Sequence, residues 1–215
     1  MIIGKNITKR FGDLTIFDGL DFEIHDGEFV CFSGESGKGK TTLLNIIGLL
    51  EPFDSGELLI NGRKYSSRRE KREYYRSEVG FLFQNFALIE NKTVRQNLEI
   101  VRTSRDNSIS IEEAVRRVGL EGKLDNKVYT LSGGEQQRIA LARLILKQCW
   151  LILADEPTGS LDRKNAVIVM DILKSLNREG RTVIIVTHDE GIKNQVDRRI
   201  ELWESVTVKR SDQNR

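Results

Sequence analysis

The sequence predicts an α/β domain in which a mainly parallel sheet carries an antiparallel β subdomain and an inserted α-helical subdomain. Three observations carry this reading. A glycine-rich loop, GESGKGKT at residues 34–41, stands between the apolar run at residues 29–32 and a second, helix-patterned apolar stretch. Two further apolar runs, WLILADEP at residues 150–157 and TVIIVTHD at residues 182–189, are short and end in polar groups. That is the pattern of parallel strands buried on both faces. The first thirty residues instead alternate, as in Leu20, Phe22 and Ile24, with Gly12, Gly19 and Gly27 as turn positions, which reads as antiparallel β structure.

Taken in order, residues 29–32 form a buried strand that runs into the glycine loop, and residues 40–50 form an apolar helix. SGELLINGR at residues 55–63 pairs an apolar strand with an Asn-Gly turn signal, predicting a hairpin. Residues 63–76 are densely charged, but Glu70 and Glu73 interrupt the cations, so the run reads as a solvated helical face. Residues 79–83 form another buried strand that ends at Gln84. Residues 86–148 are helix-patterned, with IEEAVRRVGL at residues 111–120 as an amphipathic example. Beyond Arg199 the chain turns polar, and SDQNR at residues 211–215 is expected to fray.

The chemistry sits at three places. The loop matches G-x-x-x-x-G-K-[ST], in which successive backbone N–H groups curl around phosphates at a helix N-terminus. Gly34, Glu35, Ser36, Gly37, Lys38, Gly39, Lys40, Thr41 and Thr42 are therefore candidate nucleotide-binding residues. Lys40 would reach the terminal phosphates, and the Thr41 hydroxyl a magnesium ion. Asp155 and Glu156 close an apolar strand at the sheet edge where open α/β folds bind ligands. They divide into Asp155 as metal partner and Glu156 as general base. His188 reaches the same edge from the last apolar run. Third, LSGGEQQR at residues 131–138 places Ser132, Gly133 and Gly134 at a helix start, a ready anion site. The chain's own loop already encloses its phosphates, so this second site is read as acting in trans.

Composition bounds the remaining classes. The 215 residues, 39% hydrophobic, suffice for one sizeable core with a small satellite lobe. No apolar stretch reaches the roughly 18 to 20 residues of a membrane span, and MIIGKNITKRFG lacks the apolar segment of a secretory signal. These features predict a cytoplasmic chain. Cys31 and Cys149 lie in or beside apolar runs and are expected to be buried, reduced thiols. A net charge of +2 gives no reason to invoke a nucleic-acid groove.

The order of these motifs, and LSGGEQQR above all, resembles the nucleotide-binding subunits of ATP-binding cassette (ABC) transporters over essentially the whole chain. The resemblance implies a P-loop NTPase (RecA-like) core and a single ATPase domain over 1–215. Core and antiparallel lobe would occupy about 1–85 and 149–205, and the helical subdomain about 86–148. It implies ATP and Mg2+ as ligands. Phe11 would stack on adenine, the alternative being a buried strand aromatic. Gln84 would contact magnesium and the attacking water, and His188 the terminal phosphate. Ser160, Leu161 and Asp162 match the loop through which the two halves communicate. Lys38 replaces a residue that is usually small and is read as pointing to solvent.

The family arrangement implies a head-to-tail homodimer with two ATP molecules between one copy's phosphate loop and the other's signature turn. It also implies a transmembrane permease subunit docked just beyond Gln84, where Phe86, Leu88 and Ile89 are candidate groove residues or, equally, core of the helical lobe. The chain would then be peripheral on the inner face of the cell membrane. FQNFALIENKTVRQNL and ADEPTGSLD look most similar to the exporter branch that serves macrolides, lipoproteins and bacteriocins or antimicrobial peptides, with bacteriocin export as the favoured reading. The alternative is a regulatory ATP-driven switch on a membrane partner, without transport.

Overall fold

The fold is read from a computed structural model that describes residues 1–35, 37–101 and 109–202. The calls on Ser36 and on the tail at residues 211–215 lie outside the described residues. Alternation at the N-terminus produces an antiparallel pair, β1 (Ile2–Phe11) with β2 (Leu14–Ile24), registered from Ile2↔Ile24 to Phe11↔Leu14. The pair turns at Gly12, whose φ of 57° suits a residue without a Cβ. On its other side β1 pairs with β4 (Ser55–Ile60), so the sheet order is β2-β1-β4.

Here the structure corrects one expectation. Asn61 and Gly62 do turn the chain, with φ of 51° and 72°, but only an isolated Ile60↔Arg63 bridge follows. The hairpin stops there because residues 63–67 form no strand, and the other edge of β4 pairs with β1.

Five strands make the second sheet: β3 (Phe29–Ser33), β5 (Val79–Leu82), β6 (Leu151–Asp155), β7 (Thr182–Val186) and β8 (Arg198–Glu201). Their order is β5-β6-β7-β3-β8 and every pairing is parallel. Because successive side chains point to opposite faces, each central strand feeds two cores. Phe29, Cys31, Ile152, Ala154, Val183 and Ile185 enter the core shared with the helical lobe. Val30, Phe32, Leu151, Leu153, Ile184 and Val186 enter the core shared with the antiparallel sheet. Burial on both faces explains the unbroken apolar runs. Cys31 and Cys149 are free and buried, and burial pushes the Cys31 thiol up to about 11.

The helices cover these faces. α1 (Lys40–Ile47) buries Leu43, Leu44, Ile46 and Ile47 and stops at Gly48, three residues before the predicted end. α2 (Arg68–Glu73), capped by the Ser67/Glu70 box, buries nothing, as a solvated charged face should. The chain then widens into a π turn, Tyr74–Glu78, and the Tyr74 ring is buried in the core, where its hydroxyl donates to Ile47 O at 3.0 Å. α3 (Val94–Glu99), α4 (Ile111–Arg117) and α5 (Gly133–Lys147) build the inserted lobe, whose interior joins the first core. α6 (Arg163–Arg178) follows β6, and α7 (Glu190–Lys193) follows β7.

Candidate functional site

The phosphate loop is shaped by glycine geometry. Gly37 and Gly39 have φ of 80° and 79°, where a side chain is strained. At Gly39 an added Cβ would also lie 2.3 Å from Ile16 Cγ2 and 2.7 Å from Phe17 Cζ. The loop thus rests directly on β2 and delivers Lys40 to the start of α1. Lys40 is 5% exposed, and its ammonium donates to Gly34 O at 2.9 Å and Glu35 O at 2.6 Å. Burial holds its pKa below the usual lysine value, against the pull of Glu156.

Lys38 departs from expectation. Its side chain is only 26% exposed and its ammonium lies 3.9 Å from the Glu35 carboxylate, so it lies along the loop and does not point to solvent.

Opposite the loop, β6 ends in the two acids. Thr41 Oγ1 donates to Asp155 Oδ1 at 3.1 Å, which brings the two predicted metal partners together. Two neighbouring hard oxygen donors fit magnesium. Among the described residues no cluster of three or more His, Cys, Asp or Glu could cage a metal, as expected where phosphate and water complete the shell.

Glu156 continues the β6 line, its N–H donating to Val186 O at 2.9 Å, but with φ of 44°. A non-glycine residue there is strained, and such strain concentrates at functional sites. Its Oε1 is buried without a hydrogen-bond partner, and His188 Nε2 stands 3.5 Å away. Burial raises the pKa of Glu156, opposed mainly by His188; burial likewise raises that of Asp155, opposed by the Thr41 hydrogen bond.

One cavity of about 260 Å³ joins Lys40, Thr41, Asp155, Glu156, His188 and the exposed Gln84. Gly37, Gly39 and Thr42 complete its phosphate-loop wall. Ile16 and Val186 also line it and were not foreseen. Their apolar types carry no sequence signal for such a role, since only the approach of β2 to Gly39 puts Ile16 there. Glu35 is exposed, and Gly34, whose Cβ would meet Leu202 O at 2.7 Å, sits beneath the loop.

The other predicted residues stand outside this cavity. Phe11 ends β1 at 47% exposure, with Lys9 Nζ 4.4 Å from its ring centroid, so it is not a core aromatic. Ser132 caps α5 through a box: its hydroxyl accepts from Glu135 N at 3.3 Å and its N–H donates to Glu135 Oε2 at 2.8 Å. Ser132 and Gly133 are exposed, whereas Gly134 is packed so tightly that a Cβ would lie 2.4 Å from Asn165 Cγ. Asp162 caps α6, accepting from Asn165 N at 2.9 Å and Asn165 Nδ2 at 2.6 Å. Buried Gln137 donates to Pro157 O at 2.7 Å and so ties the signature helix to the turn after Glu156.

A second cavity, of about 430 Å³, opens between the two lobes beside β5. Tyr75, Phe81, Phe83, Ile100, Arg143 and Lys147 line it; Phe86, Leu88 and Ile89 do not. Leu88 packs into the helical core and Ile89 is 45% exposed elsewhere. The left-handed backbone of Phe86 and Ala87, with φ of 60° and 48°, turns that segment away and leaves Ala87 at the rim.

Comparison with known proteins agrees with this geometry. The chain is 38% identical over 209 residues to the macrolide export ATP-binding/permease protein MacB of Campylobacter jejuni, covering 94% of this chain and 33% of that protein. It thus spans about a third of the length of the MacB proteins it matches. It is 39% identical over 219 residues to the uncharacterized ABC transporter ATP-binding protein MJ1508 of Methanocaldococcus jannaschii, covering 97% of this chain and 98% of that one. In structure it superposes with a TM-score of 0.82 and 36% identity on the ATP-binding cassette MJ0796, solved as a dimer in a post-hydrolysis state bound to ADP and Pi, covering 94% of each chain. The fold is therefore that of a P-loop NTPase. The family model described as ABC transporter matches residues 17–159, a span that holds the phosphate loop, the signature turn and both acids of β6. The chain belongs to the ABC transporter family, as an ATP-binding domain.

Proposed function

We propose that this chain is the ATP-hydrolysing subunit of an exporter and works as a homodimer on the cytoplasmic face of a membrane, coupled to a permease. The observation that carries the hydrolytic reading is Glu156: its buried Oε1 has no hydrogen-bond partner and faces His188 Nε2 at 3.5 Å, its pKa is raised, and it shares one cavity with Lys40, Thr41 and Asp155. An unpaired carboxylate oxygen suits a base that takes a proton from water.

The roles follow from position. The backbone of residues 34–41 and Lys40 bind the phosphates of ATP at the α1 N-terminus. Thr41, Asp155 and Gln84 would hold Mg2+, which, when bound, neutralises developing charge on the phosphates. Glu156 orients the attacking water and accepts its proton at Oε1 or Oε2, and His188 stabilises the charge that grows on the terminal phosphate. Phe11 offers a face to adenine. Ser132, Gly133 and Gly134 serve the phosphates of a second copy, and Asp162 holds the start of α6 beside them; the dimeric state of the similar cassette supports this assembly. The described residues form one ATPase domain of two lobes.

The export reading rests on the MacB relatives, macrolide export proteins that combine ATP-binding and permease parts. No described helix is long and apolar enough to cross a membrane. The cavity beside β5, apolar and edged by Arg143 and Lys147, is where that partner would dock. Bacteriocin, antimicrobial peptide, drug and lipoprotein remain the cargo classes within this reading.

Replacing Glu156 by Gln keeps the shape and removes the base. Steady-state hydrolysis should fall by about 100-fold or more while ATP still binds and dimerises the chain. Hydrolysis that continues at the original rate removes Glu156 as the base.

A further inference from the structure

Arg143 projects from the C-terminal half of α5, about three turns from the helix start, and its guanidinium is spent on backbone. One N–H donates to Phe86 O at 2.9 Å and another to Ala87 O. These are consecutive carbonyls of two non-glycine residues in left-handed conformation, with φ of 60° and 48°. Such a pair costs conformational energy and persists only where the surroundings over-determine it. The remaining bonds of the turn are short-range: Phe86 N donates to Phe83 O at 3.1 Å and Ala87 N to Asn85 O at 2.6 Å. Among the described residues, the side-chain hydrogen bonds that reach the carbonyls of Phe86 and Ala87 from outside the turn come from the one planar fork of Arg143.

Gln84 enters this same turn. It leaves β5 two residues before the first anchored carbonyl and reaches the cavity that holds Thr41, Asp155 and Glu156. Among the described residues Arg143 forms no ion pair with a carboxylate, although burial alone holds its pKa below the usual arginine value. A desolvated cation without a counter-ion is costly unless its hydrogen bonds are satisfied. Both facts point away from a surface charge and toward a structural brace. Its aliphatic stem lines the groove between the lobes, so the turn is held from the groove side.

We propose that Arg143 is a positioning residue for hydrolysis: it fixes the turn over residues 85–87 and thereby sets where Gln84 stands in the nucleotide site. This rests on the reading above that Gln84 acts at the metal and attacking water. Arg143 touches neither nucleotide nor water and works only through the turn. A lysine has three donors but no rigid planar fork and a shorter reach, so it holds the two carbonyls less firmly.

The test is a double-mutant cycle on the full chain with Arg143→Lys and Gln84→Ala. It reads kcat at saturating ATP, the ATP dissociation constant in a Glu156→Gln background, and Tm. Arg143→Lys should lower kcat about tenfold with ATP affinity within about twofold, a loss of the size expected for groups in one network. In the Gln84→Ala background the same change should cost nothing further. An equal loss in both backgrounds overturns the proposal, because Arg143 then acts elsewhere; so does an unchanged kcat, or a kcat loss matched by lost ATP affinity. If Gln84→Ala alone leaves kcat unaltered, the role of Gln84 falls first and the proposal with it, a result distinct from additivity. Ala87→Gly covers a failure of Arg143→Lys to fold. It relaxes the left-handed position at an exposed residue and should lower kcat several-fold by loosening the turn, and an unchanged kcat again overturns the proposal.

Discussion

The phosphate loop and the signature turn both present backbone N–H groups at a helix start, yet they are built in opposite ways. At the loop, residues from α1, β5, β6 and β7 converge on one cavity, and the key lysine is 5% exposed. At the signature, Ser132 and Gly133 are exposed, and the capping box is local, closed between Ser132 and Glu135. The loop is completed by its own chain, whereas the signature is finished as structure but unfinished as a site. Under the proposed function, the contrast teaches that one copy carries two complementary halves and that hydrolysis belongs to a pair.

The largest effect tests that division directly. Lys40→Ala disables one half and Ser132→Arg the other, and each alone should lose about 100-fold or more in hydrolysis, the scale for removing an electrostatic stabiliser. Co-expressed, the two variants form a mixed dimer in which one site combines an intact loop with an intact signature. Activity should then return in part; mixed dimers as inactive as either parent would break the comparison.

A smaller effect sharpens it. Gly39 is tight and left-handed, whereas Gly134 is tight only, and its close neighbour is an amide end held by Asp162. Gly39→Ala should cost about 1–3 kcal/mol through overpacking and strain, lowering Tm by roughly 5 °C. Gly134→Ala should cost less, because Asn165 can shift. Calorimetry that ranks them the other way places the tighter constraint at the signature.

The smallest effect concerns charge. Burial raises the Glu156 pKa in the folded chain, so folding disfavours its ionised form. A raised acid destabilises the native state above the folded pKa, and the penalty vanishes below the unfolded value near 4. Glu156→Gln without nucleotide should therefore show a slightly higher Tm at neutral pH, the difference closing as pH falls through the carboxylate range. A Tm difference independent of pH would assign the effect to packing.

Much of this was legible in the residues. The apolar runs ending at Asp155 and at residue 186 predicted buried parallel strands because both faces of each are covered, and the glycine pattern at residues 34–41 predicted the anion cradle. Less legible were features set by competition between distant segments. The Asn61-Gly62 turn has full hairpin chemistry, but the residues after it form only one bridge, and β4 builds its ladder with the distant β1. Lys38 was read as solvated, and lies along the loop near Glu35. Phe86, Leu88 and Ile89 were read as groove or core; Leu88 packs into the helical core, and the cavity beside β5 is lined by Phe81, Phe83 and Tyr75.

By itself the sequence determined the family, the order of the main strands and helices along the chain, and the set Lys40, Thr41, Gln84, Asp155, Glu156 and His188 that meets in one cavity. These depend on local periodicity and on backbone freedom at single positions, which neighbours in sequence largely specify. Only the tertiary structure decided that Ile16 and Val186 wall the nucleotide cavity, that Glu156 keeps a buried unpaired oxygen beside His188, and that Arg143 braces the turn after Gln84. Each of those joins segments that are far apart in the chain, and such contacts follow from how the two sheets and the helical lobe pack, which no local pattern encodes.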